Sequence, residues 1–168
     1  MWRLLFVFLL GCGTGPYGAE AYWHARQKPV EVHVDQSMRP ECIAATLDAL
    51  DFWLEQGVDY LAYRPTRPDW YGFQGSYAPV GTITIQERTV PPGALGTALN
   101  RGLNRRIRSA RIRLSRDDQC EVETVAHEIG HGLGLEHTPA DLDYVNELMF
   151  PLRSGMHLSW SEIDWVTQ

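Results

Sequence analysis

Apolar positions recur along this chain with two different periods, and the switches between them mark its elements. Val30, Val32 and Val34 alternate with Glu31, His33 and Asp35, which predicts a half-buried strand with His33 on its solvent face. Pro40 then opens a helix in which Ile43, Leu47, Leu50 and Leu54 form one stripe, and Gly57 stops it. Residues 60 to 63 read as a second strand and residues 82 to 86 as a third, with Ile83 and Ile85 alternating. Between them, residues 64 to 80 are rich in Pro, Gly and aromatics and read as a long loop. Its tyrosines and tryptophan could rim a substrate site, but packing of the loop itself is the simpler use. Pro91-Pro92-Gly93 marks a turn. Ala110, Ile112 and Leu114 alternate with Arg111 and Arg113, giving a last strand with an apolar and a basic face. Asp118 and Glu121 then form a D-x-x-E start signal for a helix, with Glu121 and Glu123 in its positive first turn. Ser159 and Glu162 repeat that signal for a C-terminal helix that buries Trp160, Ile163 and Val166.

Composition narrows the picture. A chain of 168 residues reads as one domain, without internal repeats, and its net charge of −6 argues against nucleic-acid binding. Seven arginines, at 101, 105, 106, 108, 111, 113 and 116, crowd one region. They could form a patch for anionic lipid or an acidic substrate, but a solvated sheet face balancing an acidic remainder is the reading preferred here. At the N-terminus, Met1-Trp2-Arg3 precedes an apolar run over residues 4 to 10, far too short to span a bilayer. Leu9-Leu10-Gly11-Cys12 resembles a bacterial lipobox, in which the cysteine is acylated. The expected organisation is an export signal over 1–11, a tether over 12–28 and one domain over 29–168. The protein is then an exported, membrane-anchored lipoprotein, or a secreted one if Cys12 is not modified.

The chemistry concentrates in His127-Glu128-Ile129-Gly130-His131-Gly132-Leu133-Gly134-Leu135-Glu136-His137. On a helix, His127 and His131 project from one face and can share a metal ion. Glu128 stands where its carboxylate reaches a water on that metal rather than the metal itself. Gly134 can enter the left-handed region cheaply, end the helix and let the chain bring His137 up as a third ligand. Three neutral imidazoles leave a fourth position of tetrahedral zinc open, the pattern of a catalytic site. Five fixed positions in eleven residues argue against three unconnected histidines.

This stretch resembles the zinc motif of the metzincin metallopeptidases. Downstream, Leu148-Met149-Phe150-Pro151 resembles the matrixin form of that clan's Met-turn, with Phe150 where tyrosine is usual and Thr138 where most matrixins carry serine. The resemblance spans roughly residues 29 to 168. It implies an α/β zincin domain with a twisted five-stranded mixed sheet, two helices, and a small C-terminal part holding Met149 and one further helix. It implies one catalytic zinc on His127, His131 and His137, with Glu128 as general base. The segment 94–99 then becomes the edge strand over the cleft, with Leu95, Gly96, Thr97 and Ala98 contacting substrate. Pro151 becomes a further substrate-contacting residue and Glu123 a residue of the primed-side pocket, although a first-turn glutamate serving the helix dipole is the plainer reading of Glu123. No set of histidines and aspartates for a second zinc precedes the edge strand. Asp141, Asp143 and Glu147 form a loop that could hold calcium but reads better as solvated charge.

The resemblance also places the starts of the two helices on one face of the sheet, and so implies a disulfide between Cys42 and Cys120 in an oxidising compartment; two separate buried thiols are the alternative. The function expected is a monomeric zinc endopeptidase that hydrolyses extended protein substrates with a Glu-activated, zinc-bound water. The alternatives are a zinc-holding adhesion module and an amidase acting on cell-wall peptides. Membrane contact enters only through a lipid at Cys12. Cys12→Ala should accordingly move the protein from the membrane to the soluble fraction of its host; an unchanged distribution overturns the lipoprotein assignment.

Overall fold

A computed structural model describes residues 21–75, 77–116 and 120–137. Its elements in order are β1 (Tyr22–Trp23), β2 (Val30–Asp35), α1 (Pro40–Glu55), β3 (Leu61–Thr66), α2 (Tyr71–Gln74), β4 (Thr82–Arg88), β5 (Gly96–Leu103), β6 (Arg106–Ser115) and α3 (Val122–Leu133). The strands form one mixed sheet in the order β1-β6-β4-β2-β3, with β5 antiparallel to β6 and every other pairing parallel. The α/β fold class is the expected one. The sheet has six strands rather than five, because Tyr22 and Trp23 pair with Arg106 and Ile107 at the start of β6. Trp23 is 4% exposed and its indole N–H donates to the Gly132 carbonyl at 3.0 Å. The last part of the expected tether is therefore part of the domain, which starts before residue 29.

The valines of β2 behave as their alternation predicts, with Val30, Val32 and Val34 fully buried. The stripe expected on α1 does not. Leu47 and Leu54 are exposed at 37% and 56%, and the buried face is Cys42, Ala45, Thr46, Ala49, Leu50 and Trp53. Small residues let the helix lie close to its neighbours, and one tryptophan fills the remaining space: Trp53 is fully buried and donates from Nε1 to the Ala126 carbonyl of α3 at 3.0 Å. Leucines were the wrong guide because helix–helix approach favoured alanine over bulk. At its N-terminus α1 has no side-chain cap of its own; Glu87, at the end of β4, accepts from the Arg39 backbone N–H at 2.6 Å and from Arg39 Nε at 2.7 Å.

The opposite face of the sheet is polar and is covered by residues 67–75 and 77–80. Trp70 stacks on His33 at 4.0 Å between centroids, Phe73 is buried, and Arg101 lies over the Tyr77 ring at 4.7 Å. His33 is thus under a cover rather than in solvent, bonded to Thr66 at 2.9 Å. Arg111 corrects the reading of a solvated basic face. It is 4% exposed, and its guanidinium donates to the carbonyls of Gly72 and Gly75, holding the loop down on the sheet. Burial, with Arg113 and Arg88 nearby, lowers its pKa.

Cys42 and Cys120, 78 positions apart in sequence, are joined in a disulfide with Cα atoms 5.0 Å apart. Cys42 lies in the first turn of α1, whereas Cys120 precedes α3 in a left-handed conformation, φ 54°. The start of α3 also differs in detail from expectation: Glu121 is itself the cap residue, without a side-chain cap bond, and Asp118 lies outside the described residues. In the chain-entropy view, closing so long a loop stabilises by up to about 4–5 kcal/mol. Reduction should lower the unfolding free energy by up to that amount, read from denaturant unfolding of reduced and unreduced protein. Thiol titration of unfolded, unreduced protein should find neither Cys42 nor Cys120 reactive.

Candidate metal centre

Helix α3 carries the histidine motif, and its C-terminus decides the geometry. Gly134 has φ 102°, in the left-handed region that a side chain rarely adopts. Its N–H bonds to the His131 carbonyl at 2.9 Å, and the Leu135 N–H bonds to the Gly130 carbonyl at 3.0 Å, the two bonds of a Schellman ending. A Cβ on Gly134 would also lie 2.0 Å from the backbone oxygen of Ala21, so glycine is required twice over. The chain then reverses and His137 returns to face His127 and His131.

Three imidazoles converge. His137 Nε2 is 3.2 Å from His127 Nε2 and 3.2 Å from His131 Nε2. A tetrahedral zinc with bonds of about 2.05 Å separates its ligand nitrogens by about 3.3 Å, so this spacing fits one ion. His131 Nδ1 lies 2.8 Å from the Leu135 carbonyl. An oxygen of that kind can only accept, so Nδ1 carries the proton and Nε2 keeps its lone pair for the centre. Burial pushes the His131 pKa down to about 3, with His127 beside it adding to the shift; burial also lowers that of His137. Both rings are held neutral, the form in which imidazole binds metal. Among the described residues a second group of close potential ligands is Cys42, Glu87 and Cys120, where the sulfurs are bonded to each other and Glu87 holds Arg39.

Glu128 is 4% exposed and sits against β5. A Cβ built on Gly96 would be 2.7 Å from Glu128 Cγ and 2.9 Å from its Oε1. The edge strand and the expected general base are thus in direct contact, and glycine is what permits it. The strand runs from 96 to 103 rather than from 94 to 99. Leu95 stands just before it, 42% exposed, with its carbonyl accepting from the Ser115 N–H at 2.8 Å; Thr97 is half-buried and Ala98 faces the core. Glu123 is half-buried in the first turn of α3. Thr138, Met149, Pro151, the acidic loop at 141–147, the C-terminal helix signal and Cys12 lie outside the described residues.

Residues 79–138 match the family model of reprolysin-like metallopeptidases, family M12B. The matched stretch runs from the approach to β4 through His137. No curated protein matches the chain. One similar solved structure is high choriolytic enzyme 1, a hatching enzyme zinc-protease from the medaka fish Oryzias latipes, at 14% identity and a TM-score of 0.41. The alignment covers 76% of this chain and 54% of that one, so the chain spans about half the length of that protein. The matched family is one of metallopeptidases, and the three histidines that could hold a metal ion fall within the matched stretch.

Three side chains that sequence reasoning passed over fix the helix bearing the triad. Trp23 holds the Gly132 carbonyl, Trp53 the Ala126 carbonyl, and Asn100 Nδ2 donates to the His131 carbonyl at 2.6 Å. Nothing in their local sequence marks them, since each acts across a long separation. The contact at Gly96 yields a sharper expectation. In Gly96→Ala the new methyl can be accommodated only by moving the flexible Glu128 carboxylate. Stability should change little, zinc content should stay at one per chain, and kcat should fall at least about tenfold if a displacement of this size costs general-base efficiency. Unchanged kcat would show that the carboxylate position is not critical.

Proposed function

We propose that the chain is a zinc-dependent endopeptidase that cleaves extended segments of protein substrates. The observation that carries this is the convergence of three imidazole Nε2 atoms, two pairs of them at 3.2 Å, beside a buried glutamate that abuts a sheet-edge strand. Zinc on His127, His131 and His137 supplies a Lewis acid that lowers the pKa of water to about 7 and polarises a scissile carbonyl. Glu128 takes a proton from the attacking water and returns it to the departing amine nitrogen. Strand β5 pairs only with β6 among the described strands, so its other edge offers N–H and C=O groups to a substrate strand. Its N–H groups would help to stabilise the developing oxyanion. Leu95, Thr97 and Ala98 flank that edge, Glu123 is assigned to the primed side, and Pro151 is assigned to substrate contact.

Within the metzincins, the stretch ending at His137 matches the reprolysin-like model, whereas Leu148-Met149-Phe150-Pro151 resembles the matrixin turn. The chain is read as a matrixin-like metzincin, with Met149 beneath the metal. Its place is outside the cytoplasm, held to a membrane through Cys12, and it acts as a monomer.

Glu128→Gln leaves the ligands intact and removes the base. It should keep one zinc per chain and lose at least about a hundredfold in kcat on an unfolded protein substrate. His137→Ala should instead lose zinc on dialysis, measured by metal analysis. Turnover retained in Glu128→Gln would overturn the assignment.

A further inference from the structure

The tip of the β5–β6 hairpin carries chemistry that peptide cleavage does not use. The hairpin turns at Asn104 and Arg105, with φ 51° and 63°. A two-residue turn of this kind favours Asn-Gly; Asn104 suits it, but Arg105 holds a left-handed conformation at an energetic cost and keeps a cation at the tip. Leu103, Arg105, Arg106 and Arg108 are all exposed, Leu103 at 62%. Leu103, Arg106 and Arg108 line a recess of about 510 Å³ with Tyr22, His24 and Val80, and among the described residues no carboxylate lines it. Val80 and Tyr22 are themselves exposed, at 57% and 42%. On a chain of net charge −6, this is a local concentration of positive charge around protruding apolar side chains. Exposed charges farther away than about 8 Å are largely screened at physiological ionic strength, so the local sign decides what this surface meets.

We propose that this end of the domain docks on an anionic phospholipid surface. Arg105, Arg106 and Arg108 meet the headgroup phosphates, while Leu103, Val80 and Tyr22 sit at the headgroup–acyl boundary. A soluble acidic partner would use the cations but gives no reason for three exposed apolar side chains among them. The chain also enters the described fold here, at Ala21 beside Tyr22. Nine peptide units from Cys12 reach at most about 30 Å, so a lipid on Cys12 would keep this face near the bilayer. That clause rests on the lipoprotein assignment; the surface chemistry does not.

The test uses the full chain with Cys12→Ala in every protein, so that acylation contributes nothing and residues 1–20 are common to all. Cosedimentation is measured with vesicles of phosphatidylcholine alone and of phosphatidylcholine with phosphatidylglycerol. Binding should favour the phosphatidylglycerol vesicles and weaken with salt. Arg105→Glu/Arg106→Glu/Arg108→Glu should lower that partitioning at least about tenfold, and Leu103→Ser several-fold, roughly as membrane-surface arginines and buried apolar groups predict. A charge-matched control, Arg113→Glu/Arg116→Glu with Arg67→Glu, should stay within about twofold if the patch acts locally. Hydrolysis of a short soluble peptide reports that each variant is folded; should the triple reversal lose it, Arg106→Gln/Arg108→Gln replaces it, with a smaller loss expected. No preference for phosphatidylglycerol, or an equal loss in the control, overturns the proposal. So does binding to immobilised polyglutamate without binding to either kind of vesicle, which would point to an acidic protein instead. A failed Cys12→Ala fractionation leaves these outcomes readable, because no protein here carries the lipid.

Discussion

The last turn of α3 leaves four backbone carbonyls with no partner inside the helix, and the way they are satisfied fixes the metal centre. Gly130 accepts from Leu135, His131 from Gly134 and from Asn100, and Gly132 from the Trp23 indole. These bonds end the helix at one residue and no other. Had it run a turn further, His137 would have remained on the helix, too far along the axis to meet His127 and His131. Ended at Gly134, the chain reverses and the imidazoles meet at 3.2 Å. The Leu135 carbonyl, itself placed by that ending, then fixes the His131 tautomer. Helix termination, ligand position and ligand protonation are therefore one structural event.

The remainder of the domain supports that event from two directions. From below, α1 presents Trp53 to α3, and the disulfide ties the start of α1 to the start of α3. From the side, β5 brings Asn100 to the helix end and Gly96 to Glu128, two contacts four positions apart on one strand. Strand β5 thereby holds the helix and limits where the Glu128 carboxylate can stand, so the edge proposed to take a peptide and the glutamate proposed as base share the same few residues.

The second face of the sheet shows why charge in a sequence does not translate directly into exposure. Arg111 alternates with apolar neighbours as a solvent-facing residue should. It is buried because residues 67–75 fold over it and supply the Gly72 and Gly75 carbonyls as acceptors. Arg105, Arg106 and Arg108, only a few residues away, are exposed. One run of arginines therefore divides into a structural anchor and an exposed surface, and only the position of another segment separates them.

Some of this was legible in the chain, and the reason is locality. The triad spacing, the glycine that stops the helix, the β2 alternation and the strand–helix order all depend on periods of two or three to four residues, which backbone geometry imposes on any sequence. The Cys42–Cys120 pairing was reachable through the family resemblance, which supplied the proximity that the sequence lacks. Other features were not legible. The buried face of α1 follows alanines and Trp53 rather than Leu47 and Leu54, because the partner helix sets which residues fit. The strand at Tyr22–Trp23 is too short to show a period, and exists because β6 offers it backbone partners and the end of α3 offers its tryptophan an acceptor. The sequence by itself determined which atoms could hold a metal and where their helix must end. Only the tertiary structure decided which distant side chains hold that end in place, because hydrogen bonds across 31 to 109 residues leave no periodic mark.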